Sequence, residues 1–338
     1  MSNLASPTDN LAKSEFNPIA DLSYHNYDGP MKPPLARWWI IARQTMRVAA
    51  KNKWTWIMSL LAGAYYVIMI IELFIIDRLA SSSPNGAQVQ QAFLGRLEWK
   101  EQFFHGLGFA QIPSMILALI VGAGAIANDN RTNALLVYLS KPCSKFDYAF
   151  GKWLGVFVML VAALAIPSLG FYAYGALSFR DLGFFKQDPW LILRVLAVVP
   201  LCAALNTSII LAISSLFKQG RMAGAVYAGL YFLSNFFTQT MGAVWQVSHW
   251  KNGKFSAGGG SEIVKNLYYS SIDGLQLGLA KAILNAQGIN VFGTPVNVRG
   301  ATPPPAPALI PCLIIVLLVA LGSIAIAWKR VRAVEVVG

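Results

Sequence analysis

The chain has 338 residues, of which 56% are hydrophobic and 12% are charged, and its mean hydropathy is +0.51. A soluble domain carries about 25% charged residues, so this composition excludes an ordinary soluble fold and favours several membrane spans. The net charge of +12 does not indicate nucleic-acid binding, because the basic residues lie beside apolar runs rather than in a basic domain rich in aromatic residues. Membrane lipids with anionic headgroups are the partner that this pattern predicts.

The chain begins with a polar segment, residues 1–34, in which Pro and Asn are scattered, and we expect a disordered cytoplasmic tail. Residues 35–53 are predicted to form an amphipathic helix that lies in the lipid headgroup plane. Helical spacing places an apolar set on one face, with a basic stripe beside it. The apolar set is Leu35, Trp38, Trp39, Ala42, Met46 and Ala49, and the stripe is Arg43, Arg47 and Lys51. The alternative is a simple extension of the first span.

Residues 54–328 are predicted to form an all-α polytopic domain with six transmembrane helices, because six segments supply the 20 or so apolar residues that a span needs. A short cytoplasmic tail, residues 329–338, follows. The predicted spans are 57–76, 107–127, 154–177, 190–217, 222–247 and 308–328.

The distribution of Lys and Arg predicts the orientation. If the N-terminus is inside, the inside segments are about twice as dense in these residues as the outside ones. Positively charged residues stay on the cytoplasmic side. We therefore expect both termini in the cytoplasm, as an even number of spans requires.

The loop between the second and third predicted spans is unusually charged for this chain. Thr132 is placed to cap a short helix, NALLVYLS, and Pro142 to end it soon after Lys141. That helix is apolar nearly all round, so water is a poor environment for it. It is predicted either to insert into a groove on another protein or to lie on the lipid surface.

The stretch NDNRTNALLVYLSKPCSKFDYAFGKWLG resembles the segment after the second span of ABC-2-type transport permeases. In that family an acidic residue and Arg, a Leu-rich short helix, a basic residue before Pro, and a Gly-Lys step form the element that docks on a separate ATP-binding subunit. The resemblance departs at Cys143 and Lys145. It implies coupling roles for Asp129, Arg131, Thr132, Leu135, Leu136, Leu139, Lys141, Pro142, Gly151 and Lys152.

The resemblance also implies a wider assembly. We expect two ATP-binding subunits, a second permease subunit (a copy or a homologue), export as the direction, and the bacterial cytoplasmic membrane as the location. ATP and Mg²⁺ would be bound by the partner. The sequence contains no GxxxxGK[ST] phosphate-binding loop, so this chain is not expected to hydrolyse ATP or to bind a cofactor. No catalytic or metal-ligating set is predicted in it either.

Polar uncharged residues interrupt the predicted spans. Such groups commonly bond helices to one another, and the alternative is that they line a substrate pathway between two copies of the protein. Large aromatic residues beside them favour an amphipathic substrate under the second reading. The candidate pathway residues are Gln111, Asn206, Ser234, Asn235, Thr238 and Gln239.

The long loop before the last span contains SEIVKNLYYSSIDGLQLGLAKAILN, which has helical spacing and a break at Gly274. It is predicted to form short extracytoplasmic helices that dip into the outer leaflet, as ABC-2 permeases often have there. A gate at the external mouth and a surface-lying segment are both compatible with it.

Two other classes remain open. A non-transporting scaffold or signalling subunit would use the same loop, residues 128–152, to bind a cytoplasmic partner. An ion-coupled carrier needs ionisable groups at membrane depth. Glu72 is the one acidic residue well inside a predicted span, and this scarcity argues against the carrier.

Overall fold

The computed structural model describes residues 37–82, 86, 88, 97–134, 144–180, 183–248, 250–251, 254–255, 262–288 and 304–330. These residues form eleven helices and one hairpin of two-residue strands. The helices are α1 Arg37–Lys51, α2 Lys53–Ser82, α3 Trp99–Phe109, α4 Gln111–Arg131, α5 Lys145–Ser178, α6 Phe184–Gln187, α7 Leu191–Leu216, α8 Gly220–Ser248, α9 Glu262–Tyr268, α10 Ile272–Leu284 and α11 Leu309–Arg330. The strands are β1 Trp250–Lys251 and β2 Lys254–Phe255, paired antiparallel.

Five helices in the described part of the chain are long and apolar enough to cross a membrane: α2, α4, α5, α7 and α11. They overlap five of the six predicted spans. The remaining predicted span, 222–247, lies within α8, which has 29 residues and a length of about 43 Å. α8 is not among the five helices that are both long enough and apolar enough to cross a membrane. It carries a strip of polar side chains. The six-span count stays a prediction.

The second predicted span, 107–127, is divided in the structure. α3 ends at Phe109, and α4 begins at Gln111 after the single residue Ala110. Pro113 lies in the first turn of α4, where its missing N–H costs no helical hydrogen bond. α5 begins at Lys145, nine residues before the predicted start at 154. The reason is a capping box, in which Ser144 and Asp147 satisfy each other's backbone N–H groups.

Two apolar clusters hold the bundle together. One lies where α4, α5, α7 and α8 meet and includes Leu117, Ile210 and Tyr227. The other joins α2, α3, α5 and α6 through packed aromatic rings. Phe103 lies 5.3 Å and Tyr66 5.5 Å from the Phe171 ring, and Trp99 lies 4.8 Å from Phe184. The second cluster lies at the bundle end where α2 finishes and α7 begins.

The chain direction defines the two ends of the bundle. We use "the loop end" for the end where α4 finishes and α5 begins, and "the far end" for the opposite one. α1 lies at the loop end and packs mainly against α5. α10 enters the bundle from the far end, whereas α9 lies against α8 and has no buried residue. α10 packs against α3, α7, α8 and α11, so it lies between helices rather than on the surface.

Candidate functional site

The ends of α4 and α5 are joined by one compact ionic contact. Lys152 Nζ lies 2.7 Å from Asp129 Oδ2, and Tyr148 donates its hydroxyl to the same oxygen at 2.8 Å. Lys152 Nζ also lies 5.7 Å from the centre of the Tyr148 ring. Both charged side chains are less than one-fifth exposed, so the contact is better shielded than a surface ion pair. We name these three residues the loop stem.

The loop stem explains part of the charged stretch in the sequence. Asp129 and Lys152 were predicted as coupling residues, and the structure brings them together across the loop. Arg131 is exposed at the end of α4. Thr132, predicted to cap the following short helix, instead donates its hydroxyl to the Asn128 carbonyl at 3.0 Å and closes α4.

Five of the predicted coupling residues lie outside the described residues: Leu135, Leu136, Leu139, Lys141 and Pro142. The short coupling helix itself therefore stays a prediction. The described residues give the frame that carries it. Asn133 has a left-handed backbone, with φ of 52°, so the chain turns away from the axis of α4 directly before this segment.

Gly151, the next predicted coupling residue, is a packing site for α1. A Cβ atom added there would stand 2.6 Å from the Trp38 carbonyl oxygen, and one at Gly155 would stand 2.6 Å from Thr45 Cβ. Gly151 and Gly155 are one turn apart and form a small-xxx-small pair, which lets helix backbones approach closely. The Gly-Lys step thus has two functions: the glycine holds α1, and Lys152 forms the loop stem.

The predicted apolar face of α1 is divided between a contact with α5 and exposed surface. Ile41, Ala42 and Ala49 are buried, and Trp38 is half-buried with its ring 5.4 Å from Phe150. Trp39, predicted on the same face, is 45% exposed. The reason is that the two glycines of α5 accept the α1 backbone, so the packed face centres on Ala42 rather than on the two tryptophans.

The remaining predicted features of α1 agree with a helix beside lipid. Arg43 and Arg47 are exposed, and so is Lys51 at the end of the helix. Trp39, Ile40 and Val48 form exposed apolar surface next to this stripe. Leu35 lies outside the described residues. The structure contains no lipid, so the interfacial position of α1 stays a prediction.

The candidate pathway residues of α8 hold α10 in place. The Asp273 carboxylate, which is 1% exposed, accepts hydrogen bonds from Ser234 Oγ at 2.8 Å, Thr238 Oγ1 at 3.0 Å and Asn235 Nδ2 at 3.0 Å. Ser234 Oγ also accepts from the Ile272 backbone N–H at 2.7 Å. The first turn of α10 is therefore bonded to the middle of α8, about 21 Å from its start. We name these four side chains the α10 anchor.

A second polar contact lies one turn further along α10. Gln276 and Asn206 exchange hydrogen bonds at 3.0 and 3.4 Å, and Tyr227 donates its hydroxyl to Asn206 at 3.1 Å. Gln111 Nε2 donates to the Asp273 carbonyl at 2.9 Å. Gln239 differs from the other predicted pathway residues, because it is exposed on α8. These contacts satisfy polar groups inside an apolar bundle, where unpaired ones would be costly.

Three buried charged residues were not foreseen from the sequence, because they lie outside the predicted spans: Asp273, Glu101 and Lys281. Glu101 accepts from the Gly288 backbone N–H at 2.9 Å and from the Gln287 backbone N–H at 2.5 Å. Lys281 donates to the Pro304 carbonyl at 2.6 Å. Burial lowers the pKa of Lys281 to about 8, and nearby Glu101 opposes that shift. Together they fix both ends of the segment that follows α10.

The cysteines and acidic residues do not form a metal site in the described part of the chain, where no group of three or more His, Cys, Asp or Glu side chains is suitably placed. Cys202 and Cys312 are buried free thiols, and Cys143 lies outside the described residues. The site is built for helix contacts, one at the loop end and one at the α10 anchor.

These observations define a polytopic α-helical membrane protein, with an amphipathic first helix held on a long transmembrane helix and one short helix, α10, inserted between the long ones. The chain belongs to the family described as ABC-2 family transporter protein, which it matches over residues 39–325. It is therefore a membrane permease of an ABC transporter, and permeases of this family generally work with an ATP-binding subunit. No curated protein matches the chain significantly.

Proposed function

We propose that this chain is the membrane-spanning subunit of an ATP-driven exporter, and that a separate ATP-binding subunit docks on the loop between α4 and α5. The observation that carries the proposal is the loop stem. Asp129, Tyr148 and Lys152 fix to each other the two helix ends that flank the loop. A force applied to the loop then reaches α4 and α5 directly, because the stem does not rely on flexible linkers.

The packing of α1 extends this argument. α1 is seated on Gly151 and Gly155, and Gly151 adjoins Lys152 of the stem. A movement of the loop therefore shifts α1 and α5 together as one rigid unit. Rigid-body motion of packed helices is an established way to couple distant sites. In this proposal two ATP-binding subunits close on ATP and Mg²⁺, and the loops of two permease subunits carry that motion into the membrane.

The orientation follows from the same proposal. The loop end faces the cytoplasm of a bacterial cell, where ATP is available, and both termini lie on that side. The density of Lys and Arg beside the loop-end helix termini supports this orientation. α10 then enters the bundle from the outer side.

The polar residues of α7 and α8 have a specific role in this proposal. In the described structure they are bonded to α10 through Asp273 and Gln276. We propose that ATP-driven motion displaces α10 and frees these side chains to face the substrate. Gln239 is already exposed next to them, and the aromatic side chains Phe232 and Phe236 on the same helix are exposed too.

The proposal is tested by co-purification from detergent with a candidate ATP-binding subunit. The wild type is compared with the double variant Leu135→Asp/Leu136→Asp and with Phe185→Asp, a control that places one aspartate at an exposed apolar site on the far end. We expect the ATP-binding subunit to remain with the wild type and the control and to be lost from the double variant. Equal retention by all three would contradict the proposal, because the ATP-binding subunit would then dock elsewhere on the permease.

A further inference from the structure

An apolar recess opens between α5 and α11 at the loop end. It has a volume of about 230 Å³ and is lined almost entirely by apolar surface. Phe146, Phe150 and Trp153 supply one wall from α5, while Ala327 and Trp328 supply the opposite wall from α11. We name it the aromatic recess. It plays no part in the loop stem or in the α10 anchor.

The α5 wall is an ordered stack of rings. Phe146 and Phe150 lie 5.3 Å apart with planes 8° from parallel, and Phe150 and Trp153 are 6.3 Å apart at 13°. Trp153 is fixed from behind, because its indole N–H donates to Ser208 Oγ at 3.0 Å. The Trp328 ring completes the mouth, 6.3 Å from Phe146. The wall is therefore rigid before anything binds to it.

The rings that line the mouth are substantially exposed within the protein. Phe146 is 55% exposed and Trp328 is 42% exposed. Aromatic rings gain stability when their surface is covered by apolar groups. The recess is walled on two sides and almost entirely apolar, so it suits a hydrocarbon chain better than a flat protein surface.

Three basic residues adjoin, in sequence, the aromatic residues that line the mouth of the recess. Lys145 directly precedes Phe146, while Lys329 and Arg330 directly follow Trp328, and all three are exposed. In the described part of the chain none of the three belongs to an ion pair. The nearest acidic residue in sequence is Asp147, whose carboxylate accepts from the Ser144 backbone N–H and hydroxyl. Cationic residues thus adjoin the residues of the mouth, and the interior is apolar.

We propose that the aromatic recess binds one anionic phospholipid from the cytoplasmic leaflet. One acyl chain lies against the stacked rings, and the phosphate headgroup is held by Lys145, Lys329 and Arg330. Charge complementarity selects this occupant, because a zwitterionic lipid gains little net attraction from three cations at the membrane surface. This lipid ligand is separate from the transport function proposed for the subunit.

A lipid bound in the aromatic recess contacts the start of α5, the helix that follows the loop. Phe146 and Phe150 lie in the first two turns of α5, directly after the capping box that begins the helix. A bound lipid links this part of α5 to the end of α11. It therefore stabilises the helix that carries the loop stem.

The test is native mass spectrometry of the delipidated full-length protein, titrated with phosphatidylglycerol or with phosphatidylcholine of the same chains. We expect the first phosphatidylglycerol to bind at least about fivefold more tightly than phosphatidylcholine. The triple variant Lys145→Gln/Lys329→Gln/Arg330→Gln should lose this preference. The control Lys53→Gln/Lys218→Gln/Arg221→Gln removes the same charge from three other exposed sites at the same end and should retain it.

A second variant tests the apolar half of the site. Ala327→Leu narrows the recess without changing charge, and it should weaken phosphatidylglycerol binding several-fold while the protein stays folded by its thermal midpoint. Equal affinity for the two lipids in the wild type would overturn the proposal. So would an equal loss in the two triple variants, or tight binding that survives Ala327→Leu. No ATP-binding subunit is present in this experiment, so its outcome is independent of the proposed transport function.

Discussion

Lys152 Nζ lies 2.7 Å from Asp129 Oδ2, and this contact joins the end of α4 to the start of α5, the two helices that flank the loop. Tyr148 donates to the same carboxylate oxygen. The contact thus places two of the predicted coupling residues in a defined structural role. It also determines how the loop is anchored.

Separating this ion pair should weaken both the protein and its coupling to ATP. We expect Asp129→Asn and Lys152→Met to show a coupling energy of about 1 kcal/mol in a double-mutant cycle, because the pair is shielded but not deeply buried. Thermal unfolding of the four proteins measures it. The single variants should also lower ATP hydrolysis by the assembled complex. Additive losses of stability would show that the two residues do not interact.

Adding a methyl group at Gly151 should push α1 away from α5. The new Cβ would stand 2.6 Å from the Trp38 carbonyl oxygen, and overpacking of this kind costs about 1–3 kcal/mol. We expect Gly151→Ala to lower the thermal midpoint and to expose α1 to limited proteolysis.

Gly170→Ala is the matched control for that change. It lies in the same helix, and a Cβ there meets no atom within 4 Å. Alanine is the better helix former, so the control should be neutral or slightly stabilising. Equal destabilisation by the two changes would refute the packing argument for Gly151.

Removing the Asp273 carboxylate should release α10. Asp273→Ala leaves Ser234, Asn235 and Thr238 without their shared acceptor, and we expect a loss of about 2–4 kcal/mol in unfolding free energy. Hydrogen exchange over 262–288 should speed up at the same time. Gln239→Ala changes an exposed residue of α8. This control should change stability by less than about 0.5 kcal/mol. If α10 exchanges at the wild-type rate in Asp273→Ala, the α10 anchor has been misassigned.

The buried Lys281 should make stability depend on pH in the alkaline range. Its pKa is about 8 in the folded protein, against a model-peptide value of 10.5, so the unfolded chain binds more protons between these values. Stability should therefore rise with pH above 8, by at most about 1.4 kcal/mol per pH unit. Below pH 8 the lysine is protonated in both states, and its contribution is constant.

Lys281→Arg isolates that effect, because arginine stays charged throughout this range. The thermal midpoint of the wild type, measured between pH 7 and 9.5, should rise relative to that of the variant as pH increases. Parallel curves for the two proteins would exclude Lys281 as the titrating group.

The sequence predicts the helical architecture well, because long apolar runs leave few alternatives in a membrane. It does not predict which residues of α1 pack against α5. Hydrophobic periodicity identified the apolar set that includes Trp38 and Trp39, whereas the packed face depends on Gly151 and Gly155 of another helix. A pattern within one helix contains no information about the shape of its partner. The Gly151-Lys152-Trp153-Leu154-Gly155 spacing was the signal for it.

The sequence predicts only the α8 side of the α10 anchor. The polar strip of Ser234, Asn235 and Thr238 was recognised as suited to bonding helices, but its partner was not. Asp273 lies in a loop between predicted spans, where a carboxylate is ordinarily solvated. Asp273 is buried because α10 is inserted into the bundle. There its carboxylate accepts hydrogen bonds from three side chains of α8. That insertion depends on long-range packing, which sequence patterns do not specify.

The most direct test of the central claim is hydrogen exchange of the permease with and without its ATP-binding subunit. We expect peptides covering 128–152 to exchange more slowly in the complex, while peptides covering 262–288 stay unchanged when no nucleotide is present. Protection confined to another segment, such as 216–222, with none over 128–152, would contradict the claim that the loop between α4 and α5 is the docking element.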